Sequence, residues 1–383
     1  MIELFRFEPS VKKYLFSHKG LIYCLDDSSK INCGTSLCSM PTSQVFNGMS
    51  VPIEVQIQFT NRCNLACPHC YISSGNPLPT EMIEQQIKDL LSALQTWGVL
   101  QVEWSGGEVF TRKNFMEFVK FAHKLGFEQK LLTNGVAIGK RQNLATELWR
   151  YFFSIQISMD SFAENFNRWV GKKKMWDALQ QALDYLWSSK PEWARLSVTT
   201  TLDKSNINDL ADIAECLRGR VSNWKLARQV FNGRSNITDK VANDVLFQSW
   251  PVINELRATK NDLIILHPFD KGETSGYSWP VEWHTEIGAR LFMYVGANGD
   301  CYPFPYFDGI PELLGGNVLV DSLDAIWSSK AFCNFRNAQR ENTGCAGCQK
   351  ICRMWARAFS YFKNNDLYEQ PILHPGCPHS VLS

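Results

Sequence analysis

The sequence predicts an α/β protein: a partial (β/α)6 barrel with a small β-rich N-terminal appendage and a cysteine-rich C-terminal domain. Strand-like and helix-like segments alternate between residues 51 and 232, a pattern typical of parallel strands joined by crossover helices. About six such units fit there, fewer than the eight of a closed barrel. The 13 cysteines occur in clusters rather than evenly along the chain.

Residues 1–50 predict the β-rich appendage. The segments FRFEPS, KKYLFSH and GLIYCL are short and alternating, and Pro, Ser and Gly separate them, as expected for strands joined by turns.

The barrel begins with a strand, EVQIQF (54–59), and a helix, residues 81–98, which ends at Gly98. The alternation continues through VLQVEWSG, NFMEFVKFAHKLG, EQKLLTNG, RQNLATELWRY, FFSIQISM, MWDALQQALDYLW, RLSVTTTL, INDLADIAECLRG and WKLARQV. Three of the strands end in WSGGE, LTNG and SMDS. These polar loops therefore gather at the carboxyl ends of the strands, where chemistry occurs in such folds.

Two further regions complete the predicted organisation. Residues 233–287 form a connector with one helix around 240–258, and residues 288–383 are rich in Gly and Cys with only short elements. The predicted domains are therefore 1–50, 51–232, 233–287 and 288–383.

Charge and hydropathy exclude several classes of partner. The 383 residues include 39 Lys and Arg against 38 Asp and Glu, so net charge gives no reason to expect nucleic acid. The first residues interleave charged and apolar side chains, unlike a signal peptide. No apolar run approaches the roughly 18 residues of a membrane span. The sequence thus predicts a cytoplasmic protein that binds no membrane, whose cysteines stay reduced and serve metal rather than disulfides.

The segment NRCNLACPHCY (61–71) places Cys63, Cys67 and Cys70 on one loop after the first barrel strand. Thiolates suit zinc or an iron–sulfur cluster. A structural zinc ion needs four ligands, and His69 is the only obvious local fourth. A 4Fe–4S cluster held by the three cysteines instead leaves one iron open to another ligand. Both interpretations are compatible with the loop alone.

The spacing resembles the radical S-adenosylmethionine (SAM) superfamily, whose motif is C-x3-C-x-Φ-C with Φ aromatic. His69 occupies Φ, where the family places a ring near the adenine. The resemblance implies that SAM chelates the open iron of a 4Fe–4S cluster. It also implies that one-electron reduction cleaves SAM to a 5′-deoxyadenosyl radical, which abstracts a hydrogen atom from the substrate.

The strand ends supply further matches to the family. Gly106, Gly107 and Glu108 correspond to its GGE(P) motif, which binds the SAM amino group, with Val109 in place of the proline. The glycines allow close approach of the backbone to the ligand, and a carboxylate is a suitable acceptor for an ammonium group.

Two later strand ends also match the family. Asn134 follows the third strand, as in many relatives. Ser158 and Asp160 match positions that contact the ribose or carboxylate of SAM. Taken singly, each of these motifs is equally compatible with a turn or a helix cap.

The C-terminal segments GDCYPFP, LGGNVLVDSLDAIWSS, CAGCQKIC and PGCP resemble the SPASM or twitch domain of many radical SAM enzymes. The resemblance implies at least one auxiliary 4Fe–4S cluster held by Cys345, Cys348, Cys352 and Cys377. Cys301 is a substitute ligand or part of a second cluster. A zinc-ribbon site at the same four cysteines is the alternative.

The other cysteines fit no standard site. Cys24, Cys33 and Cys38 lie nine and five positions apart. Cys216 and Cys333 have no partner at a suitable spacing and are predicted to be buried apolar thiols.

By resemblance, the leading function is maturation of a ribosomally synthesised peptide by crosslinking, epimerisation or oxidation. The implied partners are a precursor peptide and an electron donor such as flavodoxin or ferredoxin. A free strand edge in FRF or YLFSH is a hypothetical site for an extended leader. Two alternatives remain: a small-molecule radical SAM dehydrogenase or epimerase, and a non-catalytic zinc scaffold. The sequence assigns no catalytic base, and Tyr71 and Arg234 are equally compatible with pocket lining and with packing.

Overall fold

The computed structural model of the chain describes residues 5–9, 13–19, 21–25, 49–230, 232–235, 239–267 and 288–337. The predicted auxiliary ligands Cys345, Cys348, Cys352 and Cys377 lie outside the described residues.

In chain order the described elements are β1 (Phe5–Glu8), β2 (Lys13–His18), β3 (Leu21–Leu25), β4 (Glu54–Gln58), α1 (Glu84–Trp97), β5 (Gln101–Ser105), α2 (Phe115–Lys124), β6 (Glu128–Thr133), α3 (Val136–Gly139), α4 (Gln142–Leu148), β7 (Phe152–Ser158), α5 (Ala163–Trp169), α6 (Met175–Ser189), β8 (Arg195–Leu202), α7 (Leu210–Leu217), β9 (Asn223–Arg228), α8 (Asp239–Thr259), β10 (Ile265–Leu266), β11 (Phe292–Val295), β12 (Asp300–Tyr302), β13 (Gly316–Asn317), α9 (Leu323–Trp327) and α10 (Lys330–Asn337). Each strand from β4 to β9 is followed by a helix. The partial barrel predicted from the sequence is therefore confirmed.

The chain divides into two compact units. The first comprises residues 1–62, 76–130 and 277–338, and the second comprises residues 63–75, 131–276 and 339–383.

The N-terminal part of the first unit is a three-stranded antiparallel sheet in the order β1–β2–β3. This confirms the predicted β-rich appendage. The YLFSH segment is the central strand, since Phe16 lies opposite both Phe5 of β1 and Tyr23 of β3. The hypothesis that YLFSH offers a free edge is therefore wrong, because the hydrogen-bonding groups on both sides of β2 are already used.

A buried ion pair joins this small sheet to the rest of the first unit. The Arg6 guanidinium donates to the carbonyls of Val51 (2.6 Å), Pro52 (3.0 Å) and Gly98 (3.0 Å). It also lies 3.2 Å from the Glu8 carboxylate, which is fully buried. Burial lowers the pKa of Arg6 to about 10, although Glu8 opposes this. These contacts fix the appendage to the chain that leads into β4 and to the end of α1.

The first unit also contains the beginning of the barrel. β4 pairs in parallel with β5 on one side and with β11 on the other, and β11 continues in antiparallel register to β12 and then β13. Helix α1 buries Ile87, Leu90, Leu91 and Leu94, which recur at helical spacing. It ends at Gly98, whose φ of 101° is the left-handed conformation that glycine adopts most easily.

The second unit holds β7, β8, β9 and β10 as neighbouring strands, with β7–β8, β8–β9 and β9–β10 all parallel. Its strands have two chemically different faces. Ile157, Val198 and Trp224 lie side by side and are fully buried. Ile157 and Ala182 of α6 both pack around Gly135, so this apolar face lies under the helices.

The opposite face of the same strands is polar. Successive rows across β7, β8 and β9 are Gln156–Ser197–Asn223 and Ser158–Thr199–Lys225. Parallel strands that are buried on both faces are normally continuous apolar runs. The alternation in FSIQIS and LSVTTTL therefore indicates a strand face that contacts polar ligands rather than a second hydrophobic layer.

No helix among the described residues has both the length and the apolar composition that crossing a bilayer requires.

Candidate active site

The loop after β4 carries the three predicted cluster ligands in the second unit. Its ends are joined by a hydrogen bond from the Cys63 amide to the Gly75 carbonyl (2.9 Å). The Leu65 amide donates to the Cys63 sulfur (3.4 Å), and the Ser74 amide donates to the Cys70 sulfur (3.3 Å). Backbone amides directed at sulfur stabilise thiolate charge and are one of the means by which proteins adjust iron–sulfur clusters.

The three thiols share one electrostatic environment. Burial raises the pKa of the Cys67 thiol, and the nearby Asp160, Cys63 and Cys70 raise it further. A thiolate is thus unfavourable there unless positive charge compensates it, which bound metal provides. Within the described part of the chain, no three Cys, His or carboxylate groups are placed to share a single metal ion. Three thiolates on one loop are a donor set that suits an iron–sulfur cluster, in which each thiolate bonds a different iron.

His69 is engaged with other side chains of the second unit. Its Nε2 lies 3.3 Å from Oδ2 of Asp160, and its ring stacks on Trp169 with 5.1 Å between centroids and 25° between planes. This contact engages Nε2 only and leaves Nδ1 to face another group. A metal-bound histidine often donates its other ring N–H to a carboxylate, so the contact is compatible both with metal ligation and with a hydrogen bond from an organic ligand to Nδ1.

Asp160 is buried and held from two directions. Its Oδ1 accepts a hydrogen bond from the Thr201 amide (2.7 Å), and its Oδ2 faces His69. Burial alone would raise the pKa of Asp160, but the charge of His69 and hydrogen bonds from His69 and Thr201 hold it below its ordinary value. Ser158, two residues earlier, is exposed at the end of β7.

Several buried polar atoms around these residues have no partner within the described residues. They are Nδ1 of His69, Nε1 of Trp169, Oγ of Ser74 and Oγ1 of Thr199. A buried polar atom without a hydrogen bond costs about 1–3 kcal/mol. His69 and Ser74 lie on the cysteine loop and Trp169 stacks on His69, so their unsatisfied atoms fit a polar ligand beside the three thiols, as the predicted SAM would be.

Asn134 connects the end of β6 to the same loop. Its Nδ2 donates to Oδ1 of Asn64 (2.8 Å), and its Oδ1 accepts from the Val136 amide (3.1 Å). The amide at the end of LTNG thus starts helix α3 and also positions the residue that follows Cys63. Both interpretations of this motif, helix entry and site residue, are compatible with these contacts.

The GGE motif lies in the first unit and packs against the backbone of Thr60–Arg62, which immediately precedes Cys63 in the chain. A Cβ atom at Gly107 would lie 2.4 Å from the Arg62 carbonyl oxygen, and one at Gly106 would lie 2.7 Å from that of Thr60. The Gly107 and Glu108 amides donate to the Thr60 and Arg62 carbonyls, each at 2.8 Å. The glycines are therefore required for packing within the protein, whether or not they also contact a ligand.

Glu108 is buried at the end of this motif. Its carboxylate accepts a hydrogen bond from the Phe110 amide (3.3 Å) and so caps the short 3-10 turn Val109–Thr111. Binding of the SAM amino group by Glu108 stays a prediction.

The cysteines outside the loop have varied environments. Cys301 on β12 is fully buried. Burial raises the pKa of its thiol, and the negative charge of Asp300 raises it further. The prediction of buried apolar thiols is wrong for Cys216 and Cys333, which are only half-buried. Cys216 contacts Gln180 (3.2 Å) and Arg220 (3.3 Å), because its position on α7 faces polar side chains rather than the core.

Sequence comparison decides the family. The model of the radical SAM superfamily matches residues 57–217, and the model of the SPASM iron–sulfur cluster-binding domain matches residues 288–349. The chain is a radical SAM enzyme with a C-terminal SPASM domain. The non-catalytic zinc scaffold is thereby excluded.

Curated relatives of this radical SAM–SPASM enzyme include peptide-modifying proteins. It is 28% identical over 340 residues to the mycofactocin maturase MftC of Mycolicibacterium smegmatis, covering 86% of this chain and 84% of MftC. It is 25% identical over 328 residues to a PqqA peptide cyclase of Xanthomonas euvesicatoria, covering 81% and 85% of the two chains. The structure of Streptococcus suis SuiB bound to its precursor peptide SuiA matches with a TM-score of 0.71 and 13% identity, covering 98% of each chain.

Some candidate residues of this radical SAM enzyme were not identified from the sequence. Trp169 lies on α5, which was not predicted, and its stacking on His69 depends on the fold. The polar strand face was detectable, since the alternation of Ser154, Gln156 and Ser158 is visible in FSIQIS.

Proposed function

We propose that this enzyme matures a ribosomally synthesised precursor peptide in the reducing cytoplasm, by radical chemistry that begins with reductive cleavage of SAM. The observation that carries the proposal is the group of three thiols beside unsatisfied buried polar atoms, on a chain whose relatives are peptide maturases. The likeness to peptide-bound SuiB extends over 98% of both chains and supports a peptide rather than a small molecule.

The chain's own residues would bind and orient the reactive groups. Cys63, Cys67 and Cys70 would hold the SAM-binding 4Fe–4S cluster, with the Leu65 and Ser74 amides stabilising sulfur charge. When bound, the cluster and SAM supply one-electron reduction and hydrogen-atom abstraction from the substrate. The electron comes from a donor such as flavodoxin or ferredoxin.

The remaining predicted residues have supporting roles. Gly106, Gly107 and Glu108 would meet the amino end of SAM. Cys345, Cys348, Cys352 and Cys377, with Cys301, stay the predicted ligands of at least one auxiliary 4Fe–4S cluster.

His69 and Trp169 have features suited to the adenine base. When His69 is neutral, with its one ring proton on Nε2 facing Asp160, its Nδ1 is an acceptor, while the Trp169 indole N–H is a donor. An adenine edge presents a complementary amino donor and ring-nitrogen acceptor. Asp160 would thus act as a positioning residue that selects the imidazole tautomer.

Replacing Asp160 by asparagine is expected to weaken SAM binding by roughly tenfold to a hundredfold, equivalent to about 1–3 kcal/mol for one buried hydrogen bond. The Asn oxygen would still accept the hydrogen bond from the Thr201 amide, so the Asn NH₂ group would face Nε2 of His69. Nε2 would then have to accept a hydrogen bond, and the imidazole proton would move to Nδ1. Isothermal titration of the reconstituted protein should show a smaller loss for S-inosylmethionine, which carries an acceptor in place of the amino group.

Asp209→Asn is the matched control, because Asp209 is a buried carboxylate that accepts from the Phe162 amide (3.0 Å) and does not contact His69. Equal losses of affinity for SAM and S-inosylmethionine in the Asp160 variant would contradict the tautomer role.

The test of the peptide function is an assay with precursor peptides. We expect the anaerobically reconstituted enzyme to bind about eight irons per chain, two 4Fe–4S clusters. With reductant and SAM it should form 5′-deoxyadenosine and change the mass of a short peptide encoded beside its gene. Turnover of SAM with small sugars or amino alcohols, and with no candidate peptide, would favour the small-molecule alternative instead.

A further inference from the structure

The segment 232–235, which follows β9, contacts the cysteine loop within the second unit. The Arg234 amide donates to the Cys70 carbonyl (3.0 Å), and its Nε donates to the Cys67 carbonyl (3.0 Å). Its Nη1 donates to the Ser74 carbonyl. One residue thus satisfies three carbonyls of a loop that has little regular structure of its own.

The neighbouring glycine allows this close approach. Gly233 has a φ of 62°, and a Cβ atom there would lie 2.4 Å from the Tyr71 carbonyl oxygen and 2.5 Å from that of Cys70. Any other side chain would force the two backbones apart. The segment is therefore built to lie against the loop, not merely near it.

The chemistry of arginine adds charge to this contact. A guanidinium stays protonated at all physiological pH values, and its planar fork suits donation to two acceptors at once. The guanidinium Nε donates to the carbonyl of Cys67 itself at 3.0 Å, so the cation lies beside the backbone of a predicted cluster ligand.

We propose that Arg234 is a positioning residue with two separable effects: its fork holds the loop, and its charge raises the reduction potential of the cluster that the loop binds. The inference rests on the proposed binding of a 4Fe–4S cluster by Cys63, Cys67 and Cys70. A cation beside the cluster favours the reduced state, which carries one more negative charge.

Two substitutions separate these effects in the reconstituted enzyme. Arg234→Lys keeps the charge but loses the planar guanidinium fork, so it should retain less iron than the wild type after gel filtration. The equilibrium constant for reduction of its cluster should stay within threefold of the wild-type value. Arg234→Gln keeps one donor but loses the charge. It should lower the equilibrium constant for reduction at least tenfold, which is a fall in midpoint potential of about 59 mV for a one-electron couple. EPR-monitored redox titration of the SAM-cluster signal measures both potentials.

Arg220→Gln is the control, since Arg220 also lies beside a cysteine, Cys216, but away from the loop. It should leave iron content and potential unchanged. Equal potentials in the wild type and Arg234→Gln would overturn the electrostatic effect, and so would an equal fall in Arg234→Lys and Arg234→Gln. Full iron retention in Arg234→Lys would overturn the positioning effect.

Wild-type protein that assembles no cluster at Cys63, Cys67 and Cys70 would instead refute the proposed function. If Arg234→Gln does not fold, hydrogen exchange of residues 63–75 in Arg234→Lys decides the positioning effect. Arg234→Met then tests the charge by the same redox titration.

Discussion

Replacing Cys67 by alanine is expected to reduce SAM cleavage to the rate of a protein-free control. Burial, Asp160, Cys63 and Cys70 all raise the pKa of the Cys67 thiol, so its thiolate depends on bound metal for compensating charge. Without it one iron of the cluster loses its protein ligand, and two thiolates cannot hold a cubane with only one open iron. Iron content, EPR of the reduced protein and reductant-dependent 5′-deoxyadenosine formation measure the loss.

Cys216→Ala is the matched control for this experiment. Cys216 lies on α7, is half-buried, and contacts Gln180 and Arg220 rather than the loop. Its loss should leave SAM cleavage close to that of the wild type. Wild-type rates of SAM cleavage in Cys67→Ala would show that the loop does not bind the reactive cluster.

Replacing Arg6 by alanine is expected to lower the free energy of unfolding by about 3–5 kcal/mol, the usual effect of breaking a buried ion pair. The substitution removes the Arg6 cation from the buried Glu8 carboxylate and removes the hydrogen bonds that Arg6 donates to three carbonyls. Ser50 also donates to the Glu8 carboxylate, at 3.0 Å and 2.9 Å, and these hydrogen bonds do not replace the charge of Arg6. Urea denaturation followed by circular dichroism measures the change.

The double variant Arg6→Met/Glu8→Met distinguishes the charge effect from simple loss of packing. Apolar side chains of similar volume often replace a buried ion pair with little loss of stability, so the double variant should recover most of the wild-type value. Arg218→Ala, which removes an exposed pair with Asp262, should have little effect. A double variant less stable than Arg6→Ala would contradict this account.

The strand–helix alternation was predictable because its determinants are local. Helix α1 was predicted over 81–98 and extends from Glu84 to Trp97, ending at Gly98 as expected. The spacing of Ile87, Leu90, Leu91 and Leu94 alone fixes which face is buried. Helix α5 was missed, because its seven residues give too short a window for helical periodicity.

The candidate site was predictable in its residues but not in its pairings. His69 and Asp160 were each identified as site residues, yet their contact joins positions 91 apart in the chain and depends on the fold. The same holds for Arg234, whose partners Cys67 and Ser74 lie about 160 residues earlier. No local pattern encodes which carbonyls a distant arginine will reach.

The two-faced strands of the second unit affect how this enzyme can change over evolution. Stability there depends on the helix-covered row of Ile157, Val198 and Trp224, which tolerates little variation in volume. The polar row, including Ser158 and Thr199, contributes little to that packing. Selection on the polar row therefore acts through what its side chains bind, whereas selection on the apolar row acts through stability, which separates the selection of chemistry from the selection of fold.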